Sequence, residues 1–117
     1  MPTSVVNFGT HDGAHSARRL ADLPDRVVEG DPRHETIMHF EGGLLAGTWK
    51  STPGKWHAFT NRDEFCYIIS GHCQLISSNG EVQEFHTGDA FLIPNGFSGY
   101  WNVIETTTKH FVIREYS

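Results

Sequence analysis

The chain is poor in cysteine, in basic residues and in long apolar runs. Two cysteines, Cys66 and Cys73, stand among 117 residues. That is too few for a disulfide framework, and their spacing is no zinc motif. The expectation is a pair of free thiols in a reducing cytoplasm. Nine lysines and arginines face fourteen acids, a formal net charge of −5. Nucleic-acid partners need a basic patch, and only Arg18-Arg19 are adjacent cations, so no nucleic-acid partner is expected. No apolar run is long enough for a transmembrane helix, and the first residues lack the basic and apolar regions of a secretion signal. No membrane partner is expected either. The sequence also lacks a Gly-rich phosphate loop, a nucleophile elbow, internal repeats and low-complexity tracts.

What the chain does hold is one domain's worth of short strands. The first 33 residues are polar and broken by Pro24 and Pro32. They read as an N-terminal arm (1–33) with a short helix from Ser16 to Leu23. Its apolar patch, Val5, Val6 and Phe8, must pack on its own barrel or on a partner subunit. From residue 34 the pattern predicts strands over 35–40, 44–51, 55–60, 64–70, 72–78, 82–86, 90–93, 98–105 and 109–116. Gly/Pro turns separate them. Asn79-Gly80 between two alternating runs predicts a hairpin with a type I′ turn. Many short strands with no helix of useful length make an all-β sandwich or barrel over 34–117.

Two glycine-framed segments sharpen this. One runs from Pro53-Gly54 through Asp63-Glu64-Phe65-Cys66 to Ile69-Ser70-Gly71. The other runs from Gly88-Asp89 to Pro94-Asn95-Gly96. In this order they resemble the two motifs of the cupin superfamily. Gly47-Thr48-Trp49, Trp101-Asn102-Val103-Ile104-Glu105 and Lys109 narrow the resemblance to the cupin group that includes ureidoglycine aminohydrolase domains and the ethanolamine-utilisation cupin. The resemblance spans residues 44 to 113. It implies a single-domain jelly-roll barrel with an interior pocket, often paired as a homodimer. One fold hosts many functions, so it does not fix an activity.

In metal-binding cupins the first motif supplies two histidines and a glutamate, and the second a third histidine. Here the glutamate position is Glu64. The paired histidine positions fall on His57 and Phe59, or in the other frame on Ala58 and Thr60. The third falls on Gly99. At most His57 and Glu64 survive, so no bound metal and no cofactor are expected. Alternation puts Trp101 on the face of Gly99, as a pocket filler or a stacking wall, and Cys66 on the face of Glu64. Glu64 is expected to point inward and Phe65 outward. His57, Phe59, Glu64, Cys66, Gly99 and Trp101 are therefore the candidate pocket residues. Glu105 and Lys109 read as a surface ion pair. His34 reads as solvent-exposed. Three functions remain: a metal-free cupin binding a small polar molecule, which is favoured; an enzyme on a polar nitrogen compound; and an assembly subunit with a vestigial pocket.

Overall fold

The computed structural model describes residues 3–116; Met1, Pro2 and Ser117, the ends of the expected arm and barrel, lie outside them. Nine antiparallel strands form one curled sheet: β1 (Ala14–Arg19), β2 (Val27–Gly30), β3 (Arg33–Glu41), β4 (Leu45–Ser51), β5 (Gly54–His57), β6 (Arg62–Ser77), β7 (Val82–His86), β8 (Ala90–Ile93) and β9 (Gly99–Glu115). This is an all-β jelly roll. The register divides it into two layers. One runs β1-β3-β4-β9-β6-β8, using the C-terminal half of β9 and the N-terminal half of β6. The other runs β2-β5-β9-β6-β7, using the opposite halves.

Two long strands thus serve both layers. Where two strands were expected over 64–78, and two over 98–116, one continuous bent strand runs in each place. The bend in β6 falls at register shifts between Ile68 and Cys73. Gly71 sits there at φ +116°, which L side chains rarely adopt. A Cβ on Gly71 would stand 2.5 Å from the Thr106 carbonyl oxygen and 2.6 Å from Thr107 Cα. The corner therefore requires a residue without a side chain.

The N-terminal segment departs from its expected form. Ser16–Leu23 is not a helix. It is strand β1 followed by one 3-10 turn, Leu20–Asp22. Six backbone pairings with β3 outweigh the weak local helix signal of a segment lacking an apolar stripe. Leu20 is wholly buried, and its N–H donates to the Pro32 carbonyl at 3.1 Å. β2 pairs with β5 at the other edge. Phe8 rests on the rings of His39 and His110 at 4.7 and 5.0 Å.

The hairpin at Asn79-Gly80 joins β6 to β7, but its turn is not type I′. Gly80 alone has positive φ, and its N–H donates to the Ser77 carbonyl at 2.9 Å. The Asn79 side chain accepts the Glu81 N–H at 3.1 Å. That bond favours a three-residue loop ending in a left-handed glycine.

Alternation along β6 buries Glu64, Cys66 and Ile68 and turns Phe65, Tyr67 and Ile69 outward. The core lies between the layers and includes all three tryptophans. Because Gly71 holds the corner, Gly71→Ala is expected to lower unfolding free energy by about 2–4 kcal/mol. Urea denaturation measures this, and a loss under about 0.5 kcal/mol would contradict the corner's role.

Candidate functional site

The site is built where β4, β6 and β9 face the interior. Phe111 and Ile113 are buried on β9. Period-two alternation puts Lys109 on their face, so the strand that lines the core carries an ammonium into it. Lys109 is 4 % exposed. Its Nζ donates to Glu64 Oε2 at 2.5 Å and to Cys66 Sγ at 3.6 Å, and the thiol in turn donates to Glu64 Oε2 at 3.3 Å. The ammonium also lies 4.1 Å from the Trp101 ring centre and 4.4 Å from that of Trp49. Each such contact is worth about 2 kcal/mol when water is excluded.

The expected surface pair of Glu105 and Lys109 is therefore corrected. Glu105 is exposed, and Lys109 pairs inside with Glu64. Burial opposes charge on Lys109, but the Glu64 carboxylate and the hydrogen bonds to Glu64 and Cys66 more than offset it, and the pKa lies above the ordinary lysine value. Burial pushes the Cys66 thiol well above its usual range, so it stays protonated. Glu64 is the carboxylate paired with Lys109.

Around this pair is a cavity of about 450 Å³, within the usual range for small-molecule sites. Trp49, Trp56 and Trp101 wall it together with Phe59. Trp56 and Trp101 are register partners on β5 and β9, with ring planes 10° apart. His34, Arg18 and Arg62 also line it. His34 is 6 % exposed, contrary to the solvent exposure expected of it. On β3 it shares a face with Thr36 and Met38, which also reach the cavity. Its ring meets Trp49 and Trp56 edge-on, at 4.9 Å from each. Burial lowers its pKa to about 4, helped by the charges of Arg18 and Lys109. His34 Nε2 and Arg62 Nε are buried without a hydrogen-bond partner.

The candidate pocket residues separate into two groups. Phe59, Glu64 and Trp101 line the cavity, and Cys66 lies buried against Glu64. His57 and Gly99 do not line it. On β5 the alternation turns Trp56 inward and His57 outward, where it is exposed and packs on Tyr100 at 5.0 Å. Gly99 has no room for a side chain, since a Cβ there would lie 2.0 Å from the Ile76 carbonyl oxygen. Trp49, Trp56, His34, Arg62 and Arg18 were missed. Alternation with Phe111 and Ile113 could have placed Lys109. Nothing local marks Arg62 or Arg18.

A divalent ion does not suit these residues. Glu64 already holds an ammonium, and among the described residues no group of three or more His, Cys, Asp or Glu side chains could hold a metal.

Removing one partner of the buried pair leaves an uncompensated charge. Lys109→Met is expected to cost about 3–5 kcal/mol in urea denaturation. Adding Glu64→Gln should recover at least half of the loss, and a neutral single variant would contradict the pairing. A second expectation concerns pH. The folded protein keeps His34 neutral down to about pH 4, while the unfolded chain takes up that proton near 6.5. The unfolded state binds more protons in this window, so the stability due to His34 is complete above about pH 6.5 and is lost as pH falls toward 4. The urea midpoint should fall between pH 7 and 4.5 more steeply in the native protein than in His34→Phe. Parallel curves would show that His34 titrates normally.

No curated protein matches the sequence. Similar folds occur in solved structures. The EutQ protein of Clostridium difficile superposes with a TM-score of 0.66 at 18% identity, over 91% of this chain and 97% of that one. A putative ethanolamine utilization protein Q of Salmonella typhimurium gives 0.64 at 17% identity, over 72% and 71%. A protein of unknown function from Pseudomonas syringae gives 0.75 at 22% identity, over 86% of this chain but 44% of its own length. At these identities the likeness speaks for the fold. The EutQ-like cupin domain model matches residues 38–111, well over half of the chain. With its jelly roll, this chain belongs to the EutQ-like cupin domain family.

Proposed function

We propose that the protein is a small-molecule-binding cupin whose cavity works without a metal ion. One observation carries this reading. Two buried nitrogens, His34 Nε2 and Arg62 Nε, have no partner, and both residues line a cavity walled by indoles. An unpaired buried polar group costs about 1–3 kcal/mol. A vestigial cavity gives no return on that cost, whereas a polar ligand removes it. Aromatic walls with a few polar groups are the usual make-up of a ligand site. The metal-free part of the reading rests on Lys109, whose ammonium takes the carboxylate that an ion would need.

The three tryptophans are the only ones in the chain, and all line the cavity. Their indole N–H signals in a nitrogen-15 NMR spectrum therefore report on this site. Screening small polar fragments of positive, neutral and negative charge should yield members that shift these signals saturably at millimolar concentration or below. If no fragment moves them, the cavity is not a binding site.

A further inference from the structure

We infer that the ligand is a flat aromatic carboxylate, its anionic end on Arg62 and Arg18 and its ring on the indoles; this rests on the cavity being a binding site. The charge balance of the lining comes first. Four charged side chains reach the cavity: Glu64, Lys109, Arg18 and Arg62. Glu64 and Lys109 cancel each other at 2.5 Å. Two guanidiniums remain. Arg62 meets an acid only through a terminal nitrogen, at 3.6 Å from the exposed Glu115, and its Nε has no acceptor. Arg18 takes part in none of the ion pairs found among the described residues.

These two guanidiniums gather at one end of the cavity. Their carbons lie 5.5 and 5.2 Å from the Phe59 ring centre. A third, Arg26, lies 4.1 Å from the same ring, held there by the His57 and Ala58 carbonyls at 3.0 and 3.3 Å. Three cations around one benzene ring, with one loosely placed carboxylate among them, form a positive focus at the mouth of the cavity. A carboxylate is the group that a free guanidinium edge pairs with best. His34, held neutral, can add one hydrogen bond as its Nε2–H tautomer without altering the charge.

The indole walls select shape. Trp56 and Trp101 present nearly parallel faces, and Trp49 is tilted 59° and 50° to them. A flat conjugated ring covers such a surface with little loss of conformational freedom. A cationic ligand is disfavoured, because Lys109 already occupies the space over Trp49 and Trp101 where a cation would be attracted.

Benzoate, benzamide and benzylamine share a ring and differ in charge, so they test the inference on the native protein. Calorimetric titration at low salt, with the indole NMR signals as the site-specific readout, should show benzoate binding at least tenfold more tightly than benzamide. Benzylamine should not bind over the same range. Arg62→Gln should bring benzoate to the benzamide level and leave benzamide within twofold. Should that variant not fold, Arg18→Gln on the exposed strand β1 should still weaken benzoate selectively. Equal binding of benzamide or benzylamine would overturn the anion inference and leave the cavity reading intact. So would failure of all three probes alongside binding of another fragment class. Failure of all three together with an empty fragment screen would remove both.

Discussion

The interior is organised around one buried ion pair. An ammonium and a carboxylate taken out of water cost several kcal/mol each, and only close, well-hydrogen-bonded geometry offsets that. The strand register supplies it. Lys109 on β9 pairs across from Ile68 on β6, and Glu64 pairs across from Ile113. The long lysine side chain spans the offset, reaching Cys66 and then Glu64. A slip of one residue in β6 against β9 would turn Glu64 toward solvent and Phe65 and Tyr67 toward the core, and would leave Lys109 buried without its acid. The indoles follow from the same need. They stabilise the ammonium through their faces where no water can, and in doing so they become the walls of the cavity.

The result is a cupin interior that carries an internal cation, Lys109. Because Lys109 is covalently part of the chain and paired, its charge serves the fold first. The guanidiniums of Arg18 and Arg62 are different. Neither is consumed by an internal acid among the described residues, and Arg62 Nε and His34 Nε2 of the same lining are buried without a partner. In the proposed reading, stability and recognition fall to separate charges within one cavity.

Much of the fold was legible because period-two alternation and turn residues act locally. The limits of β7 and β8, the hairpin after β6, and Glu64 inside with Phe65 outside all follow from neighbours within a few residues. What failed depended on distant partners. The segment 14–19 has every residue exposed, so it carries no alternation and becomes a strand only by pairing with β3. His34 is buried by tryptophans from β4 and β5. Lys109 was read as a surface residue because its partner lies 45 positions away. His57 failed for another reason: its facing depends on the phase of a four-residue strand, and the motif frame allowed two phases.

The bent strands carry a consequence beyond geometry. Here β6 and β9 are hydrogen-bonded to each other in both layers, on either side of the corner at Gly71. Opening one layer must strain the same two strands in the other. The amides of β6 and β9 on both sides of the bend therefore belong to one cooperative unit, exchanging with solvent only through events close to global unfolding, while β1 and β2 open at lower free energy at the edges.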